Sequence, residues 1–315
     1  MVLADGQLVT VDQNSHPDLH KALRGGGAHN FGIVTNLKLK VYPFDNMWGG
    51  LYVVTEEHFD ALFDAYDTYS QNLAKEGKAH MIVDFARQEG NLIALLSIGY
   101  PEPVSNPPIY DVIRHIPNVL DTLRIDSNSN LAKEEAEATD SRGVRNLYWV
   151  LVMDYNLEVM KKIYAYWKEK TTPYVGRISI SLDFNHITPA MRNKAARDGN
   201  PNIYNLEGPD EPLSNILLTC VWEKAIDDEE ATRLHRSIGT GIEDIAKERG
   251  IYRPFKYMNY ANHEQDVIAS FGSRTQSFLK NVAAKYDPQA VFQKLQPGAF
   301  KLDRSQATVD TIVKA

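Results

Sequence analysis

Apolar residues recur along the chain with two different periods, and these periods predict its elements. A helical period of three to four residues predicts helices within 17–24, 59–73, 131–138, 157–167, 234–245 and 267–286. Runs rich in β-branched and aromatic residues predict strands at 31–43, 47–55, 79–87, 91–101, 145–154 and 215–223. For 145–154 the pattern also fits the start of the helix that follows.

A further strand is predicted at 177–185, where Ile178, Ile180, Leu182 and Phe184 alternate strictly with polar residues. This alternation means that one side of the strand faces something other than the core. The strands at 79–87 and 91–101 flank a short polar turn and read as a hairpin. Hairpins interleaved with helices indicate an α+β fold, in which helices cover one side of an antiparallel sheet.

The composition argues against two kinds of partner, nucleic acid and membrane. The 315 residues include 34 basic and 41 acidic ones, for a net charge of −7, and no basic stripe that would suit nucleic acid. No apolar run is long enough to cross a membrane, and the first residues lack the pattern of a secretion signal, so we expect a soluble chain with no membrane partner. The sequence does not indicate a compartment.

A single cysteine, Cys220, excludes an internal disulfide and a cysteine-based zinc site, and no metal site is predicted. Cys220 lies in the apolar run at 215–223, which favours core packing over a role as nucleophile. His186 ends the alternating strand. It could reach a pocket as an acid or base, although a solvent-facing or hydrogen-bonded histidine is the commoner case.

Three glycines at 25–27 separate the first predicted helix from the first predicted strand. The spacing misses the dinucleotide-binding pattern at its third glycine, because Asn30 stands there, and Ile33-Val34 replaces the Lys-Ser/Thr of a P-loop. Those loops also run from strand to helix, which is the reverse order. A helix cap is the simplest role for the cluster, but three glycines also let a backbone approach a ligand closely.

Two separated stretches together carry a family resemblance. The opening LADGQLVTVDQNSHPDLHKALRGGGAHNFGIVTNLKLKVYP resembles the end of the flavin-binding domain in the vanillyl-alcohol oxidase and p-cresol methylhydroxylase superfamily. The stretch YMNYANHEQDVIASFGSRTQSFLKNVAAKYDPQAVFQKLQPGAFKL is similar to the closing segment of berberine bridge enzyme-like oxidases. The middle of the chain resembles the substrate domain of the fungal members.

The resemblance implies three parts and a cofactor. Residues 1–45 would be the last part of the FAD-binding domain, 46–250 a substrate domain built on the antiparallel sheet, and 251–315 a segment that returns to the flavin lobe. It implies an FAD-dependent oxidoreductase, either an oxidase or a dehydrogenase, that acts on a small organic substrate such as a secondary metabolite. Hydride would pass to flavin N5.

The resemblance also implies site residues. Gly32 and Ile33 would lie along the cofactor, and Asn259 and Tyr257 would contact it; for Asn259 an ordinary loop contact is the alternative. Tyr260 falls where relatives carry the catalytic base, and packing alone is the alternative for it. A tyrosine, whose pKa is ordinarily near ~10, must have that pKa lowered by positive charge or hydrogen bonds to act as a base at neutral pH. Lys256 and Arg253 are cations close to Tyr260 in the sequence that could supply this charge.

The family's N-terminal lobe, with its diphosphate loop and flavin-tethering residues, has no counterpart in the sequence, so the sequence does not predict tight FAD binding by this chain alone. Three alternatives stay open. The chain is a truncated form of an FAD-linked oxidase, or its pocket serves a flavin-free isomerisation or cyclisation, or it is a non-catalytic relic that binds a small ligand. An apolar face vacated by flavin would favour a homodimer.

Overall fold

The computed structural model describes residues 1–303 except 44, 141, 201, 209, 210 and 297. Its helices, in chain order, are α1 Pro17–Leu23, α2 Phe59–Glu76, α3 Asp111–Arg114, α4 Asn128–Ala138, α5 Leu157–Thr171, α6 Pro189–Arg197, α7 Asp228–Glu248, α8 Val267–Ser270, α9 Ser273–Tyr286 and α10 Val291–Lys294. Its strands are β1 Met47–Thr55, β2 His80–Gln88, β3 Asn91–Tyr100, β4 Leu120–Asp121, β5 Arg124–Asp126, β6 Arg145–Asp154, β7 Ile178–Ile187, β8 Leu213–Trp222 and β9 Tyr252–Arg253.

In the described part of the chain the nine strands form one sheet, in the order β4-β1-β3-β2-β7-β8-β6-β9, with β5 also paired to β1. Every recorded pairing is antiparallel. The predicted hairpin is β2–β3, closed by Glu89 and Gly90, both at positive φ. The predicted α+β fold with an antiparallel sheet is therefore confirmed.

One face of the sheet packs against α2, α5 and α7. Alternate strand residues and the apolar faces of these helices form a continuous core, in which Trp48, Trp167 and Phe85 are almost fully buried. Burying apolar surface in this way provides the main driving force for folding. These three helices thus lie on one side of the sheet, as predicted. Cys220 is part of this core, and burial raises the pKa of its thiol to about 12.

The second, opposite face of the sheet carries polar side chains. The short helix α4 packs here near β1, where the Ser97 hydroxyl donates a hydrogen bond to Glu135 at 2.9 Å. Further along, β7 presents Ser181, Asp183 and Asn185, which are only partly exposed. The strict alternation read from the sequence therefore corresponds to a strand with one apolar and one polar face.

The chain divides into two compact units. We call Tyr42–Met191 with Pro209–Arg253 the sheet unit, and Met1–Val41 with Arg192–Gly208 and Pro254–Ala315 the terminal unit. The earlier division at 45/46 and 250/251 is a division by family resemblance and stays a prediction.

Two predicted elements are wrong. Residues 31–43 form no continuous strand: Ile33 makes one isolated bridge to Val2, and Leu37, Leu39 and Val41 are 72–85% exposed. No neighbouring strand pairs with them among the described residues, and an unpaired strand is not stable alone. The predicted helix 267–286 is broken into α8 and α9 at Gly272, which has a φ of +87° that interrupts helical geometry.

Within the described residues, no helix combines the length and the apolar character needed to span a bilayer.

Candidate functional site

The turn Tyr257–Tyr260, in the terminal unit, brings three predicted site residues together. Met258–Tyr260 forms one turn of 3-10 helix, closed by a hydrogen bond from the Tyr260 N–H to the Tyr257 carbonyl at 3.0 Å. The two tyrosine rings meet edge to face, with centroids 5.0 Å apart. The Asn259 side-chain amide donates a hydrogen bond to the Tyr257 hydroxyl at 2.9 Å. Two phenols and an amide thus form one small polar and aromatic surface.

This surface is open at its outer side. Both tyrosines are partly exposed and Asn259 is exposed, whereas the preceding residues, Phe255 and Lys256, are buried. Phe255 packs against Phe271, and the Lys256 N–H donates to the Ser270 hydroxyl at 3.1 Å, so the base of the turn is fixed to α8 and its flank. A turn anchored in this way holds its side chains in a defined orientation.

The two cations near Tyr260 in sequence differ in their surroundings. Arg253 belongs to the sheet unit, where its guanidinium pairs with both carboxylate oxygens of Asp154 at 2.8 and 3.0 Å. Lys256 belongs to the terminal unit and is only 7% exposed. Of the two, Lys256 is the cation placed in the same unit as Tyr260.

Gly32 and Ile33 pair with the first residues of the chain. The Ile33 N–H donates to Val2 at 2.9 Å, Val2 donates back to the Ile33 carbonyl at 2.8 Å, and the Gly32 N–H donates to Ala28. A Cβ on Gly32 would come within 2.6 Å of the Val2 carbonyl, so only glycine fits there. These N–H groups are already used, and the Ile33 side chain, 58% exposed, is the part of this segment that can contact a ligand.

Asn30 explains what the glycine turn holds. Its buried side-chain amide donates to the carbonyls of Gly26 and Phe300, both at 3.0 Å, and accepts from Gln293 at 2.9 Å. Gln293 in turn accepts from the Leu302 N–H. This buried network joins the glycine turn to residues about 270 positions later. The family resemblance includes both the glycine turn and the later segment. In the sequence, however, Asn30 stands out only because it breaks the dinucleotide-binding pattern.

Tyr204 was missed by the sequence reasoning. Its ring lies over Gly25, where an added Cβ would meet it at 2.5 Å, and it packs edge to face on Phe255 at 5.3 Å. Burial raises the pKa of Tyr204, with a smaller contribution from Tyr257. Tyr204 therefore lies between the glycine turn and the segment that carries Tyr257. Only the surrounding Gly-Asn-Pro loop signal was visible in the sequence.

His186 lies inside the sheet unit and does not face solvent. It stacks on Tyr66, with centroids 5.1 Å apart, and its Nε2 is 2.7 Å from the Ser70 hydroxyl. That hydroxyl also donates to the Tyr66 carbonyl at 2.6 Å. Burial lowers the pKa of His186 to about 4, which keeps the ring neutral at physiological pH. The structure thus places it in the core, as a hydrogen-bonded histidine.

No group of three or more histidine, cysteine, aspartate or glutamate side chains in the described ranges could hold a metal ion.

Curated relatives match almost all of this chain. An FAD-dependent monooxygenase of Fusarium proliferatum is 30% identical over 320 residues, which cover 96% of this chain and 61% of the relative. The chain spans about three fifths of the length of the curated relatives that it matches first, 61% and 64%. No family model matches the chain.

Solved structures share the fold. The 6-hydroxy-D-nicotine oxidase of Arthrobacter nicotinovorans has a TM-score of 0.76 at 18% identity, and the match covers 96% of this chain and 65% of that one. The berberine bridge enzyme-like protein 1 of Physcomitrella patens has a TM-score of 0.63 at 17% identity, over 96% of this chain and 64% of that one. The chain is thus similar over almost its whole length to a fungal FAD-dependent monooxygenase, and it shares its fold with solved oxidases, including a berberine bridge enzyme-like protein.

The names of these relatives include FAD and oxidation, so FAD as a cofactor and oxidoreduction as a class of activity come to this chain as proposals. The roles of Tyr257, Asn259 and Tyr260 within that class are a separate question, which their geometry addresses.

Proposed function

We propose that this chain acts in the FAD-dependent oxidation of a small organic substrate, with Tyr260 as the base. The observation that carries the proposal is the Tyr257–Tyr260 turn, which presents a phenol beside an amide and a second phenol on one anchored, partly exposed surface. When bound, FAD would accept a hydride from the substrate.

The residues of the turn fit a flavin ring better than a diphosphate. An aromatic ring and an amide can pack against and hydrogen-bond a flat heteroaromatic edge. A diphosphate instead needs several aligned N–H donors, and the N–H groups of Gly32 and Ile33 are bonded to Ala28 and Val2. We therefore assign Asn259 and Tyr257 to the ring or ribityl edge, and the Ile33 side chain, held in place by the buried Gly32 backbone, to apolar contact.

Tyr260 would remove the proton from the substrate heteroatom as the hydride leaves its carbon. Such a base must stand within hydrogen-bond reach of that proton, and it contributes roughly 10²–10⁴-fold to the rate. A tyrosine does this at neutral pH only when positive charge or hydrogen bonds stabilise the phenolate. Lys256, buried four residues earlier in the chain, is the cation we assign to that task.

The test uses the full chain with added FAD. Bound flavin is detected by its visible absorption and fluorescence, and its anaerobic bleaching by a panel of small alcohols and amines reports substrate oxidation. We expect Tyr260→Phe to slow bleaching about 10²-fold or more while FAD binding is unchanged. Tyr286→Phe is the matched control. It removes a phenol hydroxyl from the same unit, but one that donates to Asp18 at 2.8 Å and has no proposed role in the reaction.

Equal bleaching rates in the two variants would contradict the role of Tyr260. A chain that takes up no FAD would contradict the proposal as a whole, and turnover by that colourless chain would favour the flavin-free isomerase or cyclase.

A further inference from the structure

Two aspartates face each other on the second, polar face of the sheet. Asp84 of β2 stands directly opposite Asp183 of β7. Asp84 Oδ1 and Asp183 Oδ2 are buried, and the two carboxyl groups interact with each other and with the Ser181 hydroxyl. Burial raises the pKa of Asp84 to about 6, and burial together with the neighbouring Asp84 charge raises the pKa of Asp183 well above its usual range. At neutral pH the pair therefore holds a proton and carries about one negative charge.

Asn215 of β8 gives an independent observation at the same place. It pairs with Asn185, which lies two residues from Asp183 on the same face of β7. The Asn215 side chain is 5% exposed, and its Oδ1 has no partner among the described residues. Diagonal neighbours on adjacent strands lie ~7–8 Å apart, so one small group can contact both Asn215 and Asp183.

Asn215 Oδ1 is an acceptor without a partner among the described residues, and the carboxyl pair, which shares one proton, presents further acceptor oxygens and about one negative charge. A complementary ligand therefore needs several hydrogen-bond donors and a positive charge, and a primary ammonium group offers three donors with one charge. The pair is flanked on both sides by leucine, since Leu95 stands opposite Asp84 and Leu217 opposite Asp183. Apolar flanks around a charged centre suit an alkyl chain attached to that ammonium group.

We propose that Asp84, Asp183 and Asn215 bind the primary ammonium group of a small amphipathic amine. As a statement about substrate class this rests on the proposed oxidation, because the amine would then be the molecule oxidised. As a statement about binding it stands alone, and its test needs no flavin.

The experiment compares hexylammonium with hexanol, which has the same alkyl chain without the charge, by calorimetric titration of the full chain at neutral pH without FAD. We expect hexylammonium to bind at least about tenfold more tightly than hexanol, which corresponds to ~1.4 kcal/mol. Asp84→Asn and Asp183→Asn should each remove most of that preference. The control Asp60→Asn, an exposed residue of α2, changes the net charge equally and should leave it intact.

Equal binding of hexanol and hexylammonium to the unmodified chain would overturn the proposal, and that comparison needs no variant to fold. So would a preference that survives both substitutions at the pair. Neither measurement involves FAD. The binding results can therefore be interpreted even if the proposed oxidation is wrong.

Discussion

The sheet unit and the terminal unit reach stability by different routes. In the sheet unit, consecutive strands such as β2 and β3 pair directly, and three helices bury an aromatic core against them. The terminal unit is assembled from three separate segments, and its buried polar network joins Asn30 to Phe300 across 270 positions. The comparison teaches that the sheet unit depends mainly on one large apolar core, whereas the terminal unit, which carries the candidate site, combines buried apolar side chains with long-range hydrogen bonds.

Removing an aromatic ring from the core should give the largest effect. Phe85 is fully buried, and its ring meets those of Phe59, Phe63, Tyr164 and Phe184 with centroids 4.8–6.1 Å apart. We expect Phe85→Ala to lower the free energy of unfolding by about 4 kcal/mol, measured by chemical denaturation. Phe271→Ala, in the terminal unit, is the comparison and should cost less, because that ring meets two others. Equal losses would remove the distinction between the units.

Asn30→Ala tests the terminal unit directly. It removes a buried amide and leaves the Gly26 and Phe300 carbonyls and the Gln293 amide without this partner. Unsatisfied buried groups cost ~1–3 kcal/mol each, so we expect a loss of about 3 kcal/mol in the free energy of unfolding.

Asn72→Ala provides the control for Asn30. The Asn72 amide also donates to a carbonyl, that of Thr68 at 2.9 Å, but on an exposed helix surface. Its loss should change the free energy of unfolding by less than about 0.5 kcal/mol. A similar small change in Asn30→Ala would show that the network does not stabilise the terminal unit.

His186 gives the sheet unit a defined dependence on pH. Its pKa in the folded state is about 4 against 6.5 for the free side chain, so the unfolded state binds more protons between these values. Its contribution to stability is present above pH 6.5 and is lost as the pH falls towards 4, by ~3 kcal/mol. His186→Phe keeps a ring beside Tyr66 and should abolish that loss.

The Asp84–Asp183 pair acts in the opposite direction, because its raised pKa values favour the folded state as the pH falls through about 6. The aspartate pair is present in both the wild type and His186→Phe. The difference between their free energies of unfolding therefore isolates the effect of the histidine, and urea denaturation at several pH values measures that difference. A constant difference between pH 7 and 4 would show that His186 does not carry this dependence.

Sequence patterns predicted the sheet unit well and the terminal unit less well, for physical reasons. Apolar residues that recur every two positions, or every three to four, indicate which side chains of a strand or helix are buried. In β7 and α2 neighbouring elements bury these side chains. The same apolar pattern at 37–41 failed, because a strand also needs a partner, which the pattern does not report. The resemblance drew attention to Tyr257, Asn259 and Tyr260, but only coordinates show Asn30 at the centre of a network, and Asp84 opposite Asp183.

The smallest expected effect concerns that unpaired segment. Leu39 is 72% exposed, whereas Val54 of the paired strand β1 is fully buried. We expect Leu39→Thr to change the free energy of unfolding by less than about 0.5 kcal/mol, and Val54→Thr to cost ~1–3 kcal/mol because it buries a hydroxyl. If Leu39→Thr costs as much as Val54→Thr in chemical denaturation, residue 39 is buried in solution, and a sedimentation experiment would then show whether a second copy of the chain covers it.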